Sequence, residues 1–222
     1  LVWNDILELQ EKIKKINSVE RVEICGSARR RKETIGDLDV LAITDKSTNV
    51  ITAFTKLDVV KRIIAKGDTK STVILDDNMQ VDLRVLNRKS FGAAMQYFIG
   101  NQGHNIKLRR IAISKGYKLS EYGLFKGEKI IEAEDEKKLY NALGLEYIEP
   151  ELREDNGEIE AAQGRRLPDL VTLGDIKGDC HMHTKETDGV NTMEEMIEQA
   201  IKLGREYIVF TDHTKGLRFI NG

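Results

Sequence analysis

Asp37 and Asp39 head a run, Leu38 to Thr44, that is otherwise almost continuously apolar. A β-rich run of this kind reads as a strand. Carboxylates at i and i+2 at the start of a strand turn to the same side, with Cα atoms about 7 Å apart. The chain must therefore build a strand that carries two anions side by side. A second run, Met79 to Leu86, alternates Val81, Leu83 and Val85 against Gln80, Asp82 and Arg84. Asp82 thus lies on the polar face of its strand, and if the two strands are neighbours, three carboxylates converge.

The rest of the pattern supplies a fold around these strands. Ile6, Leu9, Ile13 and Ile16 form one stripe of a helix from Trp3 to Ile16, followed by a strand from Arg21 to Cys25 that Gly26 ends. Further strands are expected over Val59 to Ala65 and Thr72 to Leu75, all in one sheet. Helices over Phe91 to Phe98 and Asn105 to Ser114 come next, then short strands at Tyr117 to Leu119, Tyr122 to Phe125 and Lys129 to Ile131. Glu149 to Asp169 holds both prolines and many charges, and reads as a linker. Beyond it, a strand from Asp175 to His181, a helix from Thr192 to Leu203 and a strand from Tyr207 to Thr211 make a β-α-β opening. The class is α+β. With 40% hydrophobic and 32% charged residues and no apolar run near membrane length, the chain is expected to be soluble, without a membrane partner.

Three converging carboxylates call for cations. Few oxygen ligands favour Mg²⁺, which keeps waters and substrate phosphates in its shell, and Mn²⁺ is the alternative. A pair of such ions can stabilise the attacking and the leaving oxygen of a displacement at phosphorus. Upstream, Gly26-Ser27 opens a short helical turn whose backbone N–H groups and hydroxyl suit phosphate oxygens, and Arg29 to Lys32 adds positive charge. A triphosphate fits that description. Residues 1 to 130 hold 24 Lys and Arg against 16 Asp and Glu, whereas residues 131 to 222 hold 11 against 21. A net +8 in the first part suits a polyanion, and the −10 in the second a different partner.

Gly26-Ser27, Arg30, Asp37-x-Asp39 and Val81-Asp82-Leu83-Arg84 together resemble the palm of the family X DNA polymerases. The resemblance continues through Phe91 to Gly100, Asn105 to Arg110 and Lys118 to Phe125, which are similar to the thumb. It implies a palm of the nucleotidyltransferase fold over residues 1–90, a small α+β thumb over 91–148 and a linker over 149–174. It also implies residue roles. Asp37 and Asp39 would hold both metals, and Asp82 would hold the catalytic metal and help deprotonate the primer 3′-hydroxyl. Gly26, Ser27, Arg30, Gly36, Tyr97, Phe98, Gly100 and Asn105 would line the nucleotide, and Arg84, Lys107, Arg109 and Arg110 would contact DNA. The implied partners are a dNTP and a primer-template or gapped DNA. Two departures stand out: Ile99 and Asn101 flank Gly100 where animal relatives carry hydroxyls, and Gln80 replaces an Arg, which is expected to remove a phosphate or carboxylate contact. The family's lyase domain and helix-hairpin-helix region are expected to have no counterpart in these 222 residues, so lyase activity is not expected of them and their grip on gapped DNA should be weak.

Three of the four histidines lie late, in Asp179-Cys180-His181-Met182-His183 and Thr211-Asp212-His213. His181 and His183 point the same way from a strand end, Asp188 follows in a turn, and His213 ends the next strand. Neutral imidazoles on one face suit Zn²⁺ or Mn²⁺. Cys180 points to the other face and reads as a buried small hydrophobe. The pattern resembles the start of a polymerase and histidinol phosphatase (PHP) domain, a β/α barrel with a metal cluster for phosphoester hydrolysis. In bacterial and archaeal family X polymerases it follows the thumb and is associated with 3′ to 5′ exonuclease activity. Residues 175–222 would be its opening, an incomplete metal site. The start at Leu1 without a Met reads as that of a fragment. Cys25 and Cys180, far apart and without CxxC spacing, suit a reducing cytoplasm. Nothing in the pattern specifies an oligomeric state. Two other functions fit parts of the pattern: a nucleotidyltransferase with a non-DNA acceptor, and a DNA-binding module without activity.

Overall fold

Alternating burial along Val81, Leu83 and Val85 and the unbroken apolar run after Asp39 produce the centre of a five-stranded sheet in the computed structural model, which describes residues 3–214. The chain divides into two compact units, one up to Leu167 and one from Pro168 onward. In the first, strands β1 (Arg21–Ile24), β2 (Asp37–Ile43), β3 (Val60–Lys66), β4 (Lys70–Leu75) and β5 (Gln80–Leu86) are ordered β1-β2-β5-β4-β3. The central pair β2–β5 is parallel and every other pairing is antiparallel.

Each face of this sheet is covered differently. On one side, α1 (Trp3–Lys14) contributes Ile6, Leu9 and Ile13 and α3 (Ser47–Phe54) contributes Val50, Ile51 and Phe54, packed on Val22, Val40, Ala42 and Leu83. On the other, α4 (Phe91–Ile99) lays Ala94, Met95 and Ile99 over Leu41, Ile43 and Leu86. That second cover reaches only the distal part of β2. The proximal part, where Asp37 and Asp39 stand, is flanked instead by α2 (Gly26–Arg29), a single turn.

A second core lies under α5 (Gln102–Ser114), the three-stranded sheet β6 (Lys118–Ser120), β7 (Gly123–Lys126) and β8 (Lys129–Glu132), and α6 (Glu136–Ala142). Helix α5 starts three residues before the sequence pattern suggests, because the Asn101 side chain accepts from His104 N–H at 2.8 Å and caps it.

The segment read as a linker over 149–174 is not one in its first part. Pro150–Leu152 forms a 3₁₀ turn and α7 (Glu158–Gln163) buries Ile159 and Ala162 in the second core. Its charges, which made it look solvated, are paired inside the unit: Arg153 with Glu136, and Glu158 with His104 Nδ1 at 2.6 Å. The division between units falls after Leu167.

In the second unit β9 (Gly178–Met182) and β10 (Tyr207–Phe210) pair in parallel across α8 (Met193–Lys202), the expected β-α-β. Thr192 and Glu195 close a capping box at the start of α8. Cys25 is buried, whereas Cys180, expected to be a buried hydrophobe, is exposed because the two-stranded sheet of β9 and β10 leaves it uncovered; both are free thiols. Among the described residues no helix is long and apolar enough to cross a membrane.

Candidate active site

Parallel pairing sets Asp39 opposite Asp82 and Asp37 opposite Gln80, so the three carboxylates share one face of β2 and β5. Asp37 is exposed, whereas Asp39 and Asp82 are half-buried. Their environments push them apart. Burial, then the charges of Asp37 and Asp82, raise the Asp39 carboxyl to about 6. Burial works against the Asp82 charge too, but hydrogen bonds outweigh it and hold that carboxyl below the usual range. Thr72 Oγ1 donates to Asp82 Oδ1 at 2.5 Å and Gln80 Nε2 to Oδ2 at 2.8 Å, with Lys70 Nζ 3.4 Å away. Gln80 therefore keeps a carboxylate contact at the position where the sequence suggested a loss. Neither Thr72 nor Lys70 is among the site residues expected from sequence. Their signal is the register of β4, which sets Thr72 opposite Asp82.

The glycine turn is built against the same carboxylates. Gly26 has φ +58, and a Cβ there would collide with Asp39 Oδ2. Cys25 N–H donates to the Asp39 carbonyl at 2.8 Å, which brings the turn alongside β2. Ser27 is half-buried in it, and Gly36 lies exposed just before Asp37. A small cleft of about 60 Å³ is lined by Cys25, Asp39, Lys70, Asp82, Arg84 and Phe98. Arg84 sits 5.6 Å from the Phe98 ring centre, and Tyr97 meets Phe98 edge-on at 5.0 Å. A wider groove of about 710 Å³ runs past Arg21, Phe91 and Tyr147, and none of the expected site residues lines it.

Several expected contact residues are engaged within the fold. Asn105 Nδ2 donates to the carbonyls of Tyr97 (2.7 Å) and Gly100 (3.1 Å), and its oxygen accepts from Gln96. Its amide thus finishes α4, and a Cβ on Gly100 would come within 2.8 Å of Asn105 Oδ1. Arg30 donates to the Ile99 carbonyl and to Glu154, each at 2.7 Å. Lys107 pairs with Asp155 (2.7 Å) and Glu160 (3.2 Å). Arg109 is half-buried and Arg110 exposed.

The donor set of Asp37, Asp39 and Asp82 suits divalent cations: all are hard oxygen ligands, and burial together with the charges of Asp37 and Asp82 raises the Asp39 carboxyl in spite of Lys70 and Arg30 nearby. The sign of the resulting pH dependence follows. A carboxyl whose native value lies above its unfolded one keeps a proton that the unfolded chain releases, so metal-free stability falls as pH rises from roughly 4 to 6. After solvent screening the loss is about 2 kcal/mol or less. Added Mg²⁺ should accordingly raise the melting temperature more at pH 7.5 than at pH 5. An equal increment at both would contradict this assignment.

In the second unit His183, Asp188 and His213 offer ligand atoms all within 4.8 Å of one another. His181 Nε2 lies 2.9 Å from His183 Nε2, beside this set of three rather than within it. His183 Nδ1 is buried and lacks a hydrogen-bond partner, although Asp188 Oδ1 is 3.2 Å away, an orphan nitrogen that a metal would satisfy. Asp212, inside the second histidine motif but given no role from sequence, accepts from Thr184 N–H (2.6 Å), Thr184 Oγ1 (2.7 Å) and Thr187 Oγ1 (2.8 Å) and so pins the loop that carries Asp188. Removing a histidine from this set should weaken Zn²⁺ or Mn²⁺ binding at least about tenfold in His183→Ala, measured by metal content after equilibrium dialysis. Unchanged content would remove His183 from the set.

Comparison with known proteins agrees with this geometry. Family models match for the DNA polymerase beta palm over residues 5–115, the DNA polymerase beta thumb over 94–154 and the PHP domain over 179–221. The chain is 37% identical over 219 residues to the DNA polymerase/3′-5′ exonuclease PolX of Bacillus subtilis, a match covering 97% of this chain and 38% of that protein. Repair DNA polymerase X of African swine fever virus is 28% identical over 136 residues, covering 58% of this chain and 78% of the viral one. Two structures of Leishmania infantum polymerase beta, a ternary primer-template complex and a ternary gap complex, superpose with TM-scores of 0.61 at 27% and 26% identity. They cover 68% of this chain and 75% and 69% of theirs.

Proposed function

Because this chain belongs to the family X DNA polymerases, in the type that carries a PHP domain after the thumb, we propose that it adds a deoxynucleotide to a primer 3′-hydroxyl in gapped DNA during repair. The observation that carries this reading is the in-register Asp39–Asp82 pair with Asp37 on the same face. The primer oxygen would form the new bond to the α-phosphorus of the dNTP, and pyrophosphate would leave. Asp37, Asp39 and Asp82 would hold two divalent cations, Mg²⁺ or Mn²⁺. Bound there, such ions lower the hydroxyl pKa and offset charge on the phosphates.

The chain's own residues do the rest. Asp82, kept anionic by Thr72, Gln80 and Lys70, is suited to accept the proton of the primer hydroxyl. Gly26, Ser27, Arg30 and Gly36 would hold the phosphates, and Tyr97, Phe98 and Gly100 would pack on the sugar. Asn105 would reach the base only by giving up the Tyr97 and Gly100 carbonyls. Arg84, Arg109, Arg110 and, once released from Asp155 and Glu160, Lys107 would meet DNA. In the second unit His181, His183, Asp188 and His213 would bind Zn²⁺ or Mn²⁺ for phosphoester hydrolysis. Gap filling with labelled primer, in Mg²⁺ and in Mn²⁺ beside an Asp82 variant, tests the first activity. Nucleotide binding without any extension would favour a non-DNA acceptor.

A further inference from the structure

The cations of the turn after β1 are occupied by a single acidic segment. Arg29 donates to Glu151 at 3.0 Å, Arg30 Nε donates to Glu154 Oε1 at 2.7 Å, and Lys32 Nζ lies 3.8 Å from that same oxygen. Arg31 packs over the Trp3 ring instead. The Arg30–Glu154 pair is well shielded, with side chains 11% and 17% exposed. Glu154 is also tied to α5: Asn101 Nδ2 donates to its Oε2 at 3.2 Å, and Asn101 N–H donates to the Arg153 carbonyl at 3.1 Å. The residue that replaces a hydroxyl after Gly100 is thus the anchor of the acidic segment.

These contacts give Arg30 a partner of the wrong sign for a phosphate site. Two of the five guanidinium donors are spent on Glu154 and the Ile99 carbonyl, and the carboxylate cancels the cation's charge. An incoming triphosphate meets like charge at hydrogen-bonding distance from its ligand, in surroundings where screening is weak. We propose that Glu154 is an internal stand-in for a nucleotide phosphate. It occupies Arg30 and Lys32 until a nucleoside triphosphate displaces it, sets nucleotide affinity, and frees the segment around residues 151–156 when nucleotide arrives. Glu154 is a positioning residue that acts through Arg30, and the inference rests on the reading of Arg30 as a phosphate ligand.

Glu154→Gln keeps an oxygen for Arg30 Nε while deleting the charge. Mg²⁺·dATP binding to the DNA-free protein, followed by calorimetry, should tighten roughly three- to tenfold in this variant. In gap filling, the nucleotide KM should fall while kcat does not rise. A merely structural Glu154 would lower the melting temperature and leave nucleotide affinity unchanged. Arg30→Gln should lose binding in either background. Unchanged or weaker binding in Glu154→Gln, with Arg30→Gln still defective, overturns the role of Glu154 alone. Wild-type affinity in Arg30→Gln overturns the phosphate reading and this inference with it. Independently of any variant, amide exchange at residues 151–156 of the wild type should speed up on adding Mg²⁺·dATP, and slower exchange there contradicts displacement.

Discussion

Asp82→Ala is expected to cut nucleotidyl transfer on the order of a thousandfold or more while leaving the protein folded and its nucleotide binding largely intact. Asp82 pairs in register with Asp39 and carries the most heavily hydrogen-bonded carboxylate of the three. Removing it takes away a ligand for the catalytic cation and the proton acceptor beside the primer hydroxyl. It does not take away the phosphate turn around Gly26 and Ser27. Stability should hold, because the deletion relieves Asp39 of a neighbouring anion that raises its carboxyl. Lys70 loses an acceptor but lines the small cleft, and the buried Thr72 hydroxyl loses its partner at a cost of about 1 kcal/mol, which the relief of Asp39 offsets in part. Single-turnover extension and thermal unfolding, measured on the same preparation, separate these effects. Extension near the wild-type rate would end the three-carboxylate assignment, and a collapsed melting temperature would show that Asp82 is structural.

The carboxylate site was legible because it depends on short-range rules. Two-residue periodicity puts Asp37 and Asp39 on one face, and alternation puts Asp82 on the polar face of its strand. What the sequence could not supply was strand order. The non-local step is the pairing of β2 with β5, whereas Thr72 and Lys70 reach Asp82 through the register of the β4–β5 hairpin, which alternation alone does not fix. The same limit applies to the cations. Arg30 and Lys107 looked free for phosphates because their partners, Glu154 and Glu160, lie 124 and 53 residues away. Asn105 is the reverse case: its partners are a few residues off, but the pairing needs the turn at Gly100 to form first. In the second unit the histidine spacing foretold the convergence of His183, Asp188 and His213, since both motifs end strands that pair in parallel.

Arg153→Ala is expected to cost roughly 3–5 kcal/mol, a large share of the stability of an ordinary domain. From sequence this residue belonged to a linker, where a charge-to-alanine change costs almost nothing. In the fold its side chain is fully buried, packed 5.2 and 5.3 Å from the ring centres of Tyr140 and Tyr147. Its Nε donates to the Ile148 carbonyl at 2.9 Å, and one terminal nitrogen pairs with Glu136, which also accepts from Tyr147. Alanine would open a cavity under two aromatic rings and strand Glu136 without its cation, and stranding a shielded charge is the larger part of the cost. The urea midpoint of the first transition should drop by roughly 1–2 M. Arg153→Met combined with Glu136→Gln removes both charges and keeps apolar volume, so it should recover part of the loss. A midpoint within experimental scatter of the wild type in Arg153→Ala would return residues 149–163 to the status of a linker. A double variant no better than Arg153→Ala would shift the cost from the stranded charge to lost packing.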